Sequence, residues 1–468
     1  MAKRLILTCQ ATRRRRPAPG SRPGEPLRHL SQNLISGSMT VRRRRNRLGP
    51  LIVCLSLQAA MVAAQGNPRD TALTRQYLHE ADSIAAGDGG LLWGLSLAGP
   101  MMLVDRDTRA IVANVDDGEG RLKQAGSVFV GTLPADQNVS NTGFNWAGRR
   151  WTMVALPVPK NPVSRAALMM HERWHRIQDS LGFPASSPTN DHLDTRDGRL
   201  WLRLEGRALQ RALVTKGEKR RTAASDAVLF RRYRRQLIPG ADSSERALEM
   251  NEGLAEYTGL TLAGFGDSAI ARQVATLDTA SSLGRSFAYY TGPAYGRLLD
   301  ALGMVWRPSL NPEQDLASLL ATALLPTPIP NLTDAVQRAG LYGYEQVGEQ
   351  EAARAIARTA RQAQLRQRFV TGPVLRLPLR DMRVGFDPNR VEPLDSVGPV
   401  YASLRIVDSW GVLDVTDGGG LIRDWQEAIV PAPKITRGKI SGPGWTLDLA
   451  EGWILVPGTR QGDYTISH

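Results

Sequence analysis

The sequence predicts an α+β fold, and three observations predict it. Between Leu91 and Pro157 the chain breaks into short apolar runs such as MMLVD, AIVAN, SVFVG and RWTMVALP, separated by Gly, Asp and Asn as strands are. Between residues 161 and 371 the apolar residues recur at helical spacing, with capping residues at the segment ends. After about Gly372, short alternating stretches return (VLRLPL, VYASLRIVD, WTLDLA, GWILVPG), broken by Gly and Pro. The expected architecture is an N-terminal, mostly antiparallel sheet packed on a helical core, followed by a small β-rich domain over residues 372–468.

The first segment reads as a leader. Residues 1–64 hold thirteen Lys and Arg against one acidic residue, Glu25, a net of +12. That leaves about +2 for the remainder of a chain whose formal net charge is +14. Arg42 to Arg45 and Arg47 form a basic region, and Leu51 to Ala64 an apolar one ending in small residues. This is the pattern of a signal peptide over residues 39–64, with cleavage near Ala64 and Met39 as a second start site. Residues 1–38, rich in Arg, Pro and Ser, read as an extension without a fold. The apolar run is short of the roughly 20 residues a spanning helix needs, so export to the periplasm or medium is expected over an uncleaved anchor. With the charge confined to the leader, the body has no electrostatic case for binding nucleic acid.

Both cysteines, Cys9 and Cys54, fall in the leader. The exported chain needs no disulfide, and any metal it binds must be held by nitrogen and oxygen.

In the body, Asp70 to Ala86 reads as a helix, and the sheet follows within residues 65–160. Asn161-Pro162 opens the next helix, because Asn caps well and Pro is preorganised for the first helical position. This helix runs through MMHERWHRIQ and stops at Gly182. Further helices are expected over Arg199–Val214, Asp226–Leu237, Asp267–Ala275, Tyr290–Leu302, Pro312–Leu324 and Val347–Val370. Another begins at Asp242-Ser-Ser-Glu245, which resembles a capping box, and continues to about Ala263.

The chain has only six histidines, and two of them, His171 and His175, stand one helical turn apart. Residues four apart share a helix face, so both imidazoles can reach one point. Neutral imidazole is a good zinc ligand. Glu172 is offset about 100° around the axis, where it can take a proton from a water polarised by the metal. The bland alternative is two surface histidines beside an incidental acid.

A third ligand is expected from LEMNEGLAEYTG, where Glu249, Glu252 and Glu256 are spaced three and four apart. Like charges on one helical face repel, and no Lys or Arg lies between Ala247 and Ala271; Arg246 could reach Glu249 at most, so Glu252 and Glu256 have no neutraliser within the helix. A cation would supply one. Glu252 is assigned as the ligand and Glu256 as the hydrogen-bond partner of the outer nitrogen of a histidine, His171 first. A solvated acidic face is the alternative.

HERWH followed by NEGLAEY resembles the gluzincin metallopeptidases, the group that includes thermolysin-like enzymes and zinc aminopeptidases. The resemblance implies a zincin-like core with His171, His175 and Glu252 as Zn2+ ligands, Glu172 as general base and Glu256 behind a ligand histidine. It also implies a sheet whose edge strand, here RWTMVALP, holds an extended peptide substrate. The chain departs from the pattern in the 77 positions between His175 and Glu252. Within that insert Glu205, in WLRLEGRALQRAL, is a rival third ligand. The neighbouring Asn251, Gly253 and Glu256 favour Glu252.

A peptidase also needs a donor for the developing oxyanion. Tyr290 is the first choice, ahead of Tyr289, Tyr295, Tyr257 and His192. Glu249 could capture a substrate amine in an aminopeptidase. The functional expectation is an exported zinc peptidase acting on a peptide or protein substrate. The alternative is a non-catalytic metal-binding or partner-binding protein on the same scaffold.

Overall fold

The computed structural model describes residues 68–134, 137–386, 390–436 and 438–468. The leader therefore lies outside the described residues. Chain contacts divide these residues into two compact units, one ending at Ala352 and one from Ala353 onward.

The first unit opens with α1 (Pro68–Asp88) and a six-stranded sheet. Its strands are β1 (Met101–Asp105), β2 (Ala110–Ala113), β3 (Lys123–Ala125), β4 (Val128–Thr132), β5 (Thr142–Trp146) and β6 (Arg149–Leu156). They lie in the order β3-β4-β2-β1-β6-β5. Every neighbouring pair is antiparallel except β1 with β6, where Leu103 stands beside Val154.

This order corrects the expected edge strand. RWTMVALP forms β6, which sits between β1 and β5; the edge is β5, with the polar sequence TGFNW. The reason is burial on both faces. Trp151 and Met153 pack into a cluster on one side of the sheet, and Val154 joins the main core on the other. Such a run belongs inside a sheet. The β5–β6 hairpin turns on Ala147 and Gly148, at φ 47° and 68°. Two positive φ values in a two-residue loop match the right-handed twist of the strands it joins.

Helix α2 (Pro162–Ile177) begins as expected: Asn161 accepts a hydrogen bond from the Ser164 amide and Pro162 takes the first position. It is followed by α3 (Arg196–Val214), α4 (Gly217–Leu237), α5 (Ala241–Leu248), α6 (Leu254–Leu262), α7 (Asp267–Ala275), α8 (Ala288–Ala301), α9 (Leu316–Ala323), α10 (Ala335–Gly340) and α11 (Tyr344–Arg366). The main core gathers Met170 and Trp174 of α2, Trp201 and Leu204 of α3, Leu254 of α6 and Tyr295 of α8. The capping box expected at Asp242–Glu245 does not form. Gly240 occupies the cap position, and Glu245 is buried against Arg234.

Two close backbone approaches set the core geometry. A Cβ on Gly259 would stand 2.4 Å from the carbonyl oxygen of Ala167, so glycine lets α6 press against α2 beside His171. A Cβ on Gly292 would stand 2.4 Å from Cα of Gly253, which locks α8 onto the turn between α5 and α6.

In the second unit two sheets share one core. One contains β7 (Val374–Pro378), β9 (Val391–Leu394), β10 (Gly398–Tyr401), β13 (Gly420–Arg423), β14 (Glu427–Pro431), β18 (Ile454–Pro457) and β19 (Tyr464–Ser467). The other contains β8 (Arg383–Phe386), β11 (Leu404–Asp408), β12 (Gly411–Val415), β15 (Lys434–Thr436), β16 (Lys439–Gly442) and β17 (Trp445–Leu449). Leu375, Leu377 and Val430 of the first meet Ile406, Leu413 and Leu447 of the second. The alternation of the sequence here, as in LRIVD with every second residue buried, is that of a sandwich with one face inside. No helix of the described residues is long and apolar enough to cross a membrane.

Candidate metal centre

Helix α2 carries His171 and His175 on its inner face, with Nε2 atoms 3.2 Å apart. The other nitrogen of each ring is committed. His171 Nδ1 is 3.0 Å from Glu256 Oε2, and His175 Nδ1 is 2.8 Å from Gln178 Oε1. The amide of Gln178 is fixed in that sense because its nitrogen donates to Pro184 O and Asn251 Oδ1. Both partners are acceptors, so the proton of each neutral ring belongs on Nδ1 and the Nε2 lone pairs face each other.

Glu252 closes the triangle. Its Oε2 is 3.5 Å from His171 Nε2 and 3.6 Å from His175 Nε2. Ligand atoms on a tetrahedral ion at about 2.0–2.1 Å stand roughly 3.3–3.4 Å apart. Three lone pairs aimed at one point repel one another unless a cation lies between them. The donor set is therefore one that could hold a metal ion, from His171, His175 and Glu252.

The electrostatics favour positive charge at this point, on the ring itself or on a cation between the three groups. Burial disfavours charge on His171, yet hydrogen bonds to Glu252 and Glu256 outweigh it and hold the imidazole well above its usual range. Burial likewise opposes ionisation of Glu252, and the two histidines override it, driving that carboxyl far below its usual range. The centre is built to surround positive charge.

A turn with i→i+5 hydrogen bonding, Glu249–Gly253, brings Glu252 there. It interrupts α5–α6, and the Leu254 amide donates to Glu249 O across it. Such a bulge inserts a residue and changes which side chains share a face. Glu249 consequently turns away from Glu252. Both its oxygens accept from Arg231, at 2.7 and 2.9 Å, and Oε1 also accepts from Thr291. The expected crowding of three carboxylates is thus relieved from α4, and Glu249 does not reach the cleft to capture an amine.

Glu205 does not compete as a ligand. It is fully buried and accepts from Arg231 at 2.8 Å, from Tyr295 at 2.9 Å and from Arg234. The apolar context that made it a rival is the wall of a buried ion-pair network.

No family model, curated protein or solved structure matches this chain.

The centre lies at the base of a cleft of about 430 Å³. Asn141, Thr142 and Gly143 at the start of edge strand β5 line one wall. A Cβ on Gly143 would stand 2.5 Å from His175 O, so only glycine lets the edge come this near α2. Glu172 also lines the cleft. Its Oε2 is buried without a hydrogen-bond partner, and burial raises its pKa against the pull of the two histidines.

The tyrosine facing the cleft is Tyr289. Its hydroxyl donates to Glu252 Oε2 at 2.6 Å, and its ring stacks on His171 at 5.7 Å between centroids. Burial, then the Glu252 charge, pushes the phenol pKa far up, so it remains a donor. Tyr290, the first choice from sequence, is turned away by one helical step of about 100° and packs with Leu193, Leu202 and Phe287. The remaining donors named from sequence are engaged elsewhere: Tyr295 with Glu205, Tyr257 with Asp300 at 2.6 Å, and His192 with Glu245 at 2.9 Å.

Sequence reasoning assigned no role to Gln178 or Asn251. Gln178 follows His175 by three, the spacing of a helix-face neighbour, which is the signal that could have found it. Asn251 joins the two halves of the site, accepting from Gln178 and donating to Ser187 and Glu252.

Proposed function

We propose that this chain is a zinc-dependent peptidase of gluzincin type, acting after export. The observation that carries the reading is the triangle of His171 Nε2, His175 Nε2 and Glu252 Oε2 with an unpartnered, buried Glu172 oxygen in the same cleft. Nitrogen and oxygen donors in this number and spacing suit zinc with an open fourth position. The order HERWH then NEGLAEY, and the lack of cysteine after the leader, support the same choice.

His171, His175 and Glu252 would hold the ion, and Glu256 and Gln178 would keep the two rings in register. When bound, zinc supplies Lewis-acid polarisation of a water and of the peptide carbonyl. Glu172 Oε2 takes the proton of the attacking water and returns it to the leaving nitrogen, so one water and one peptide give a carboxyl and an amine. Tyr289, rather than Tyr290, is the neutral donor available to the carbonyl oxygen as it gains charge. β5, at the edge of the sheet and in the cleft wall, would pair with an extended substrate. The basic and apolar leader supports export.

The test is hydrolysis of a quenched-fluorescent peptide library by the zinc-loaded chain. Activity should vanish in Glu172→Gln while zinc stays bound. Equal cleavage by Glu172→Gln and the parent would refute the assignment.

A further inference from the structure

Three of the residues lining the cleft are carboxylates, Glu172, Glu252 and Glu256, and the one Lys or Arg among them is Arg150. Arg150 stands on β6 opposite Asn145 of the edge strand. Its side chain falls on the same side of the sheet as Val154, which joins the core cluster that holds Trp174 of α2. The guanidinium is held at one nitrogen: Nη2 donates to His175 O at 3.2 Å and to Asp179 Oδ2 at 3.0 Å. The two hydrogens of Nη2 are thereby committed. The other donors are not. Nε is buried with no partner, and neither of the contacts just named uses Nη1.

A guanidinium in a cleft wall with its Nη1 uncommitted is a recognition group for an anion. The pair with Asp179 does not satisfy it, because that carboxylate is 56% exposed and such pairs are weak. Arg150 is the one Lys or Arg in the cleft lining, so a substrate carboxylate finds a guanidinium there and nowhere else along that lining.

We infer that Arg150 makes this cleft select peptides that carry a carboxylate, as an acidic side chain or a C-terminus, near the bond to be cut. The inference rests on the cleft being a peptide site. Arg150 also caps the end of α2 through His175 O, and the experiment separates that positional role from recognition.

The probes are fluorescent alanine-rich pentapeptides in matched pairs, one pair ending in free acid or amide, the other with Glu or Gln within an amidated chain. Their Kd values are measured on zinc-loaded Glu172→Gln protein, which holds peptides uncut. With Arg150 present, the acidic member of at least one pair should bind at least about tenfold tighter than its neutral partner. The pair that shows the gap tells whether a terminus or a side chain is recognised. Adding Arg150→Gln should close the gap to about twofold or less and leave neutral peptides unchanged, while Arg150→Lys retains part of it. Asp179→Asn, which removes the internal competitor without touching Arg150, should widen it. The inference is overturned if the gap is absent, if it survives Arg150→Gln, or if Arg150→Gln weakens all peptides alike. Should Arg150→Gln fail to fold, an unchanged gap in Asp179→Asn overturns it as well. Selective binding without hydrolysis by the parent chain would sink the peptidase reading alone; hydrolysis without carboxylate preference would sink this one alone.

Discussion

Arg231 grips both oxygens of Glu249, at 2.7 and 2.9 Å, in the turn that also carries Glu252. The same guanidinium reaches Glu205 at 2.8 Å. One buried cation thus ties α3 and α4 to the turn that carries Glu252. Removing it leaves buried Glu249 without the guanidinium that holds both its oxygens and takes from Glu205 one of its two arginines. Arg231→Met should destabilise the fold by about 3–5 kcal/mol in urea unfolding. Glu205→Gln should also reduce stability while leaving zinc content unchanged. Loss of zinc from a folded Glu205→Gln protein would restore that residue as a ligand.

Tyr289 and Tyr290 are adjacent in sequence and differ in role. Tyr289→Phe removes the hydroxyl that faces Glu252, and kcat should fall by about 10²–10³ if the phenol stabilises the oxyanion. Tyr290→Phe alters a side chain packed with Leu193 and Phe287, and kcat should stay within about threefold. Steady-state kinetics on the two variants decides between them, and the reverse order would contradict the placement of α8.

Gly143 should tolerate no side chain. An added Cβ meets His175 O at 2.5 Å, a backbone atom that cannot swing aside. Gly143→Ala should cost about 1–3 kcal/mol of stability and weaken metal binding, because β5 must move away from the helix that carries the histidines. Paired thermal unfolding and zinc titration test this. An unperturbed variant would mean that the edge strand does not press on α2.

Acid should weaken the fold through Glu245. Burial alone would raise its pKa, but Arg234 first, then His192 and Arg235, hold it well below the usual 4.5. Its folded pKa is depressed, so below about pH 4.5 the unfolded chain binds more protons than the folded one. The stability it contributes is complete above that pH and is lost as pH falls toward the depressed value. Urea midpoints at pH 6, 4.5 and 3 should decline, and Glu245→Gln should flatten the decline.

Much of the centre was legible because its residues are close in sequence. His171, Glu172 and His175 need only the helical repeat, and Glu256 follows from the same repeat in NEGLAEY. Glu252 could be chosen over Glu205 from its neighbours. What the sequence hid was tertiary. Within the helix only Arg246 could reach Glu249, whereas the cation that holds it, Arg231, arrives from α4. The i→i+5 turn has no signature in local propensity, yet it decides which glutamate faces the histidines. The resemblance implies an edge strand at RWTMVALP, but burial of β6 on both faces puts it inside the sheet and leaves β5 at the edge. The sequence sets no helix phase for α8, and a single step of phase decides whether Tyr289 or Tyr290 faces the cleft.

The central claim is a metal ion held by His171, His175 and Glu252, and elemental analysis tests it most directly. The zinc-treated, gel-filtered chain should carry about one zinc, as should Glu172→Gln, while Glu252→Ala and His175→Ala should carry essentially none. Metal-free protein after zinc loading, or full occupancy in a folded Glu252→Ala variant, would contradict it.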